Sequence, residues 1–230
     1  MRNLFSLVAV SLAFLGSSSL ANAGGLIQQL PKDGTSATFD MKMVARGMEG
    51  TGTLTVSSVG KVEEDGKPCR WIEIEMAMKI GELERTVIAK ILIPEAELKA
   101  GKKPFDNRVR GWINMRGDVK ALEQKDFGPL PAFFAGPLDN SKKLDAAEVE
   151  SKALGKLKCE GVSGSVTYED RRKNEVSIET RLHKSAPFGV VSSSFDLKSE
   201  RNGVLSAEVE MKLTLKTVGK DAKSKLPDNN

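Results

Sequence analysis

The stretch that most constrains this chain lies near its end, where apolar and polar residues alternate strictly. Apolar residues occupy every second position from Leu205 to Leu215, and polar or charged residues fill the positions between them. This period of two is typical of a β-strand with one buried and one solvated face. The preceding Asn202-Gly203 pair favours a tight turn, because both residues tolerate a positive φ. Residues 188–218 are therefore predicted to form a long antiparallel hairpin.

The first 23 residues have the features of a secretory signal peptide. A short basic start precedes the apolar run 4–15, and Ala21-Asn22-Ala23 matches the small-residue cleavage pattern. The alternative is an uncleaved anchor, which needs about 20 apolar residues. We therefore expect cleavage after Ala23 and a periplasmic or secreted protein. No later segment is apolar enough to span a membrane, which predicts a soluble mature chain.

The charge pattern argues against nucleic acid as a partner. The whole chain has a formal net charge of +4, and its charges of both signs are interspersed along the predicted strands. The chain also has only nine Phe, two Trp and one Tyr for stacking on bases. A nucleic-acid-binding protein is expected to show a basic stripe or patch instead.

Two cysteines, Cys69 and Cys159, are present in a chain that is predicted to be exported. An even number of cysteines in an exported protein favours a disulfide between them. Such a bridge would tie the two halves of the chain together and stabilise the fold by about 4 kcal/mol. The alternative is two unpaired thiols that are buried as small hydrophobic side chains.

Alternation recurs along much of the chain and predicts further strands. It is clearest over residues 37–46 and 69–80, and strands are also predicted over 53–59, 83–93, 108–115 and in two segments between 162 and 182. Short helices are predicted over 94–100, 118–125 and 141–154. The loop 127–137 contains three prolines and two glycines but is too apolar for solvent, so we expect it to pack against the sheet.

These elements predict a mainly β fold of the α+β type. One large antiparallel sheet of about eight or nine strands would curl into a half-barrel around the short helices and the aromatic loop of the middle of the chain. A closed eight-stranded barrel and a two-sheet sandwich are the alternatives. The predicted organisation is a signal peptide over 1–23, a lead-in over 24–36, one β-rich domain over 37–218 and a disordered tail over 219–230.

This arrangement of an exported meander with a helical insert between its halves resembles the periplasmic lipoprotein carriers and receptors of the LolA/LolB kind. The resemblance is architectural and covers most of the chain after the signal peptide. It implies that acyl chains would be held between the sheet and the middle elements, with a lipid or a lipidated protein as partner. The functional arginine of those carriers has no assignable counterpart in this sequence.

Enzymatic and metal-binding functions find little support in the residues. The single histidine, His183, lies on the predicted polar face of its strand, and one His with two Cys is a poor ligand set for zinc. Motifs of serine hydrolases, zinc proteases and P-loop proteins are absent. We therefore expect a non-enzymatic protein without a cofactor or a metal ion.

Methionine supplies the one positive signal for ligand binding, because its flexible side chain suits surfaces that accept varied apolar ligands. Several methionines fall on the predicted inward faces, and the aromatic loop adds two phenylalanines. The candidate lining residues are Met41, Met43, Met76, Met78, Phe133, Phe134 and Met211. The alternative is that these side chains fill an ordinary core. The favoured function is binding of a lipid, an acyl chain or another apolar ligand, and the alternative is a structural or protein-interaction module of the cell envelope.

Overall fold

The computed structural model describes residues 24–126, 128–134 and 136–226. The predicted signal peptide, Phe127 and Ala135 therefore lie outside the described residues. The strands are β1 (Ser36–Ala45), β2 (Met48–Glu64), β3 (Lys67–Ile80), β4 (Leu83–Pro94), β5 (Arg110–Met115), β6 (Asp118–Ala121), β7 (Asp139–Ser151), β8 (Gly155–Glu169), β9 (Lys173–Leu182), β10 (Val190–Arg201) and β11 (Val204–Gly219). The helical elements are one short α-helix, α1 (Leu130–Phe133), and two 3₁₀ turns, Glu95–Glu97 and Gln124–Asp126.

All eleven strands belong to one open antiparallel sheet in the order β6-β5-β4-β3-β2-β1-β11-β10-β9-β8-β7. The first and last strands of the chain therefore lie side by side in the middle of the sheet. Strands β6 and β7 form its two edges, and no pairing between described residues joins them. The prediction of a mainly β fold with one antiparallel sheet is confirmed, and the number of strands is higher than the eight or nine expected.

The closing hairpin forms as the alternation predicted. Strands β10 and β11 pair in antiparallel register, and Asn202 and Gly203 join them with φ values of 54° and 75°. These positive φ values explain the residue types, because Asn and Gly adopt this region at little steric cost. Along β11, Met211, Leu213 and Leu215 are buried, whereas Lys212 and Thr214 between them are exposed.

Two of the predicted helices are wrong. Residues 141–154 fall mostly in β7, and residues 118–121 form the edge strand β6. Lys, Ala and Glu in the segment 141–154 favour a helix intrinsically, but pairing with β8 satisfies the backbone and overrides that weak preference. The third predicted helix, over 94–100, is reduced to the 3₁₀ turn Glu95–Glu97.

One face of the sheet, which we call the concave face, packs against the main hydrophobic core. Its strands contribute inward rows such as Phe39, Met41 and Met43 of β1. The space in front of it is filled by the loop segments around Leu98, Phe105 and Phe188 and by α1. All four residues of α1 are buried, which agrees with the prediction that the aromatic loop packs against the sheet.

The predicted lead-in is part of this core rather than a loose entry to the fold. Leu26, Ile27 and Gln28 are buried. Backbone hydrogen bonds connect the segment to three interior loops: Leu26 donates to the Phe133 carbonyl at 2.7 Å, Gln28 donates to the Phe188 carbonyl at 2.9 Å, and Ala100 donates to the Gln28 carbonyl at 3.1 Å. The segment therefore links the pieces that fill the concave face.

The end of the chain also packs on the sheet, where the sequence predicted a disordered tail. Residues 220–226 cross the opposite, convex face, and Leu226 is buried there. The Glu73 carboxylate accepts hydrogen bonds from Ser224 Oγ at 2.7 Å and from the Lys225 backbone N–H at 3.1 Å. Residues 227–230 lie outside the described part of the chain. The tail was predicted to be disordered because its composition is polar, but Leu226 anchors it to the sheet and the buried Glu73 carboxylate binds its backbone.

The predicted disulfide is wrong, because Cys69 and Cys159 are both free and buried. Cys69 belongs to a small cluster with Trp71 and Leu92, whereas Cys159 belongs to the main core. In the sheet, the strands β2, β1, β11, β10 and β9 lie between β3 and β8, which carry the two cysteines. Burial raises the pKa of both thiols, and the charges of Glu64 and Glu95 raise that of Cys69 further.

Candidate functional site

An open cavity of about 700 Å³ lies between the concave face and the segment that leads into α1. This volume falls within the range of roughly 300–1,000 Å³ that is common for small-molecule sites. The walls come from both halves of the chain, because strands β1, β3 and β5 face strands β9, β10 and β11 across it. The cavity therefore exists only in the assembled sheet.

Methionine dominates one side of the cavity. Its five lining methionines are Met43, Met76, Met78, Met115 and Met211. Their side chains rotate about unbranched, polarisable stems, so such a wall adapts to apolar ligands of different shapes. Met211 and Met43 are also register partners across the central β1–β11 pair, which places the two halves of the chain next to each other at the cavity wall.

Two glycines in β2 allow the neighbouring strands to approach closely at this wall. Gly50 pairs with Met43 on one side and with Ile80 on the other. A Cβ atom at Gly50 would lie 2.8 Å from Ile80 Cγ1 and 3.0 Å from Met43 Cγ, which is too close for ordinary packing. Gly52 similarly pairs with Met78. Gly50 therefore leaves room over β2 for the side chains of Met43 and Ile80, whereas at Gly52 the backbone of β3 comes close, because a Cβ atom there would lie 2.9 Å from Met78 Cα.

Aromatic side chains form the inner end of the cavity. Phe133 of α1 meets Phe195 of β10 in an edge-to-face contact, with ring centroids 5.4 Å apart and an interplanar angle of 80°. Both rings are buried and line the cavity. Edge-to-face pairs are favourable because the positive ring edge meets the negative ring face. This contact holds α1 against the sheet and fixes the depth of the cavity.

The uncharged polar side chains of the cavity wall, Ser199 and Asn174, bind each other and the turn at residues 170–172. Ser199 Oγ donates to Asn174 Oδ1 at 2.6 Å, and Asn174 Nδ2 donates to the Arg172 carbonyl at 3.1 Å and to Asp170 Oδ1 at 3.2 Å. Because these groups satisfy one another, they offer few hydrogen bonds to a ligand. The inner walls are therefore suited to an apolar occupant.

The mouth of the cavity is charged. It is lined by Lys125, Asp126, Asp170, Arg171 and Arg172. Burial works to raise the pKa of the Asp126 carboxyl, but the hydrogen bond and charge of Lys120 outweigh it, so the pKa is lowered overall. Asp126 is therefore ionised at neutral pH, with its Oδ1 atom 2.7 Å from Lys120 Nζ.

Tyr168 connects the mouth to the loop before α1. Its hydroxyl donates a hydrogen bond of 2.8 Å to the Gly128 carbonyl, and its ring lines the cavity. Burial, with a smaller contribution from the Asp170 charge, raises the pKa of this phenol far above its ordinary value. Tyr168 therefore stays neutral and acts as a hydrogen-bond donor that holds the loop over the cavity.

Five of the seven predicted lining residues meet at this cavity, namely Met43, Met76, Met78, Phe133 and Met211. The other two lie elsewhere: Met41 is buried in the core, and Phe134 packs against Phe105 with ring centroids 5.9 Å apart. Sequence reasoning missed Met115 and Phe195. Both fall on the inward rows of alternating strands, so the same period of two was the available signal for them.

The described residues bring together no group of three or more His, Cys, Asp or Glu side chains that could hold a metal ion. His183 lies in the loop after β9, where its Nδ1 atom accepts a hydrogen bond of 3.2 Å from the Ser185 backbone N–H. Within the ranges given above, no helix has the length and apolar character needed to cross a bilayer.

No protein family matches the sequence of this chain. No curated protein matches it either. Similar solved structures include a protein from Bacteroides fragilis described as exported and of YmcC-like fold (12% identity, 85% of this chain and 100% of that chain, TM-score 0.37). A second is a protein from Parabacteroides distasonis described as a lipoprotein, with 9% identity over 86% of this chain and 99% of that chain and a TM-score of 0.35. A third is a DUF1329 family protein from Desulfovibrio piger, with 10% identity over 86% of this chain and 89% of that chain and a TM-score of 0.32.

These TM-scores are all below 0.5, so the likenesses carry no functional argument. None of the three descriptions names a LolA or LolB carrier, and the resemblance to those carriers stays a prediction.

Proposed function

We propose that this protein is an exported, non-enzymatic binding protein that holds a lipid, an acyl chain or another apolar ligand against the concave face of its sheet. The observation that carries the proposal is the open cavity of about 700 Å³ with its five methionines. A protein-interaction module with a solid core is not expected to contain an open apolar cavity of this size. Each Å² of apolar ligand surface that is buried in the cavity would stabilise the complex by about 25 cal/mol.

The walls and the mouth of the cavity favour an elongated amphiphile. The interior is lined by Met, Phe, Val and Leu side chains, and the charged side chains are confined to the mouth. A ligand with an apolar chain and a polar end would place each part in a matching environment. As a periplasmic or secreted protein, it would meet such lipids at the cell envelope.

The proposal is tested by narrowing the cavity. Val209 of β11 is half-buried and lines the cavity, so Val209→Trp would place an indole ring in the ligand space. We expect the affinity for a fluorescent fatty acid, measured by titration, to fall by about tenfold or more. The matched control is Val218→Trp on the same strand, which is exposed and lies away from the cavity, and we expect it to bind as the native protein does.

A second measurement addresses the natural ligand. The protein purified from its own host without detergent is analysed by native mass spectrometry for a bound lipid. Recovery of a lipid that is missing from the Val209→Trp variant would support the proposal. A native protein that carries no lipid and also fails to take up the fluorescent fatty acid would overturn it in favour of a structural or interaction role.

A further inference from the structure

Five chain reversals lie at the same end of the sheet as the mouth of the cavity. In an antiparallel meander, alternate turns fall at the same end, and the strand registers place five turns there. The turns are residues 46–47, 81–82, 116–117, 170–172 and 202–203. We call these turns and the strand residues that flank them the mouth rim.

Large apolar side chains are exposed on the mouth rim. Val204 is 68% exposed, Met48 56%, Leu205 55% and Leu83 50%, and no other large hydrophobic side chain in the described residues is as exposed as these four. All four lie next to turns of the mouth rim. Isolated exposed apolar residues are ordinary, but their concentration at one end of a molecule indicates an interaction surface.

Two of the exposed residues continue the apolar rows of the concave face. A register shift between Ser199 and Glu200 places Val204 opposite Arg201, two positions beyond the cavity-lining Ser199, so Val204 lies on the cavity face, whereas Leu205 pairs with Glu200 on the other face. Met48 precedes Gly50 by two positions on β2, and Gly50 pairs with the cavity-lining Met43. Since side chains two positions apart share a face of a strand, the apolar surface of the cavity extends outward to the mouth rim.

Positive charge accompanies this apolar surface. The residues of the five turns include the four arginines Arg46, Arg116, Arg171 and Arg172 against the two carboxylates Glu82 and Asp170, a net charge of +2. The Asp170 carboxylate accepts hydrogen bonds from the Arg172 backbone N–H of its own turn at 2.8 Å and from Asn174 Nδ2 of β9.

The arginines that line the mouth are available to a partner. Arg171 and Arg172 are exposed and form no ion pair with any described residue. Arg116 is likewise unpaired in the described chain, whereas Arg46 Nη2 donates to the Ser206 carbonyl at 2.8 Å. Guanidinium groups bind phosphate oxygens in a planar, two-pronged geometry, so this end of the molecule is complementary to phosphate headgroups.

We propose that the mouth rim docks on a lipid bilayer that carries anionic headgroups. Its apolar side chains would enter the boundary between headgroups and acyl chains, and its arginines would bind lipid phosphates. Docking in this orientation places the mouth of the cavity against the bilayer, so that an acyl ligand passes between them without crossing water. This inference rests on the proposed function, because it assigns the source of the cavity ligand.

Vesicle binding tests the inference. The full mature chain is mixed with vesicles of phosphatidylcholine alone or of equal parts phosphatidylcholine and phosphatidylglycerol, and bound protein is measured by flotation. We expect binding to the anionic vesicles that weakens as salt screens the charges. Because each basic residue at an anionic surface contributes about fivefold to partitioning, Arg171→Gln with Arg172→Gln should reduce it by about 25-fold.

A second double variant removes the apolar contribution. Val204→Glu with Leu205→Glu should abolish binding to the anionic vesicles. The matched control is Val62→Glu with Val218→Glu, which places the same charges at exposed valines at the opposite end of the sheet and should leave binding unchanged. Circular dichroism and the melting temperature confirm that each variant is folded.

The outcomes separate this inference from the proposed function. Rim variants that lose vesicle binding but keep the affinity for a fluorescent fatty acid in solution would support docking. A native protein that takes up the fatty acid but binds no vesicles would overturn docking, leave ligand binding standing and assign the mouth rim to a protein partner. Equal losses in the rim and control variants would also overturn it.

Discussion

At the scale of single residues, charged side chains connect segments that are far apart in sequence. Arg70 of β3 is buried, and it donates to the Pro31 carbonyl at 3.1 Å, to Ser58 Oγ at 2.8 Å and to Glu95 Oε1 at 2.6 Å. It thereby joins the entry segment, β2 and the 3₁₀ turn after β4. A buried guanidinium is tolerated in such a place because its donors are paired with acceptors and with a charge.

Asp40 forms a comparable connection on the convex face, and it supplies a pH-dependent prediction. Its carboxylate lies 2.6 Å from Lys152 Nζ and 2.9 Å from Lys216 Nζ. The hydrogen bonds from Lys152 and Lys216, in that order, lower the pKa of the Asp40 carboxyl. Because the folded pKa is depressed, the stabilisation is complete above the unfolded pKa of about 3.9 and is lost as the pH falls through the folded value.

We therefore expect Asp40→Asn to lower the free energy of unfolding at pH 7 by about 0.5–1 kcal/mol. The effect is small because the ion pairs of Asp40 with Lys152 and Lys216 are exposed to solvent. The deficit should vanish in acid, below the depressed folded pKa. Urea denaturation at a series of pH values measures the difference in unfolding free energy between the variant and the native protein. Asp196→Asn is the control, because Asp196 is exposed and has no ion pair with a described residue. A deficit that is constant with pH would contradict the role of the Asp40 charge.

At the scale of elements, the segment 220–226 behaves as an additional layer on the convex face. It covers the region where Lys90 Nζ lies 4.8 Å from the centroid of the Trp71 ring and 3.5 Å from the Leu226 carbonyl oxygen. Glu73 on the neighbouring strand accepts the backbone N–H groups of the segment. The segment thus shields polar groups that would otherwise face water on the outside of the sheet.

Leu226 is the residue by which this layer is tested. Leu226→Ser removes a buried leucine side chain, so we expect a loss of about 1.5–3 kcal/mol in the free energy of unfolding. Water would then reach Trp71, and its fluorescence should shift to longer wavelength. Lys223→Ser, at an exposed position of the same segment, should change neither quantity. Identical behaviour of the two variants would show that the segment does not pack in solution.

The β7–β8 hairpin shows how a local preference can mislead. Its helix-forming composition predicted a helix over 141–154, yet the segment pairs with β8 over most of its length. Its far end reaches the centre of the sheet, where Ser151 Oγ donates to the Leu215 carbonyl at 3.0 Å. The long-range contacts of this hairpin decide its conformation, and none of them is visible in the composition of the segment.

At the scale of the whole molecule, the pairing of β1 with β11 unites the two ends of the chain. Met43 of β1 and Met211 of β11 are neighbours in this pair and both line the cavity. Ligand binding is therefore expected to stabilise the fold as a whole, because the ligand would contact strands from both halves at once. Anything that binds the native state and not the unfolded chain raises the unfolding free energy.

This linkage gives a quantitative expectation. A fatty acid at about 100 times its dissociation constant should raise the free energy of unfolding by about 2.7 kcal/mol, measured as a shift of the denaturation midpoint. The Val218→Trp variant should show the same gain and Val209→Trp should show little of it. A native protein whose midpoint is indifferent to ligand would show that the fatty acid is not held in the native cavity.

Much of the architecture could be predicted from the sequence. The alternation of apolar and polar residues predicted the strands around Phe39, Ile74 and Met211, and the Asn202-Gly203 pair predicted the last turn. Four of the seven candidate lining residues are inward strand positions near one end of the sheet, and they meet at the cavity together with Phe133 of α1. Met41 could not be separated from them, since the depth of a residue along the sheet depends on register. Phe134 lies just after α1, where no strand periodicity predicts which side chain faces the cavity.

The sequence by itself determined that this chain forms a mainly antiparallel sheet with one apolar face, because strand periodicity and turn chemistry are local properties. Only the tertiary structure decided the rest. In the folded chain, β1 pairs with β11, and Cys69 and Cys159 lie in different hydrophobic clusters. The expected tail packs as a layer on the convex face, and a cavity lined by Met43 and Met76 lies in front of the concave face. Each of these features depends on contacts between residues far apart in sequence, and those contacts are set by how the whole sheet packs.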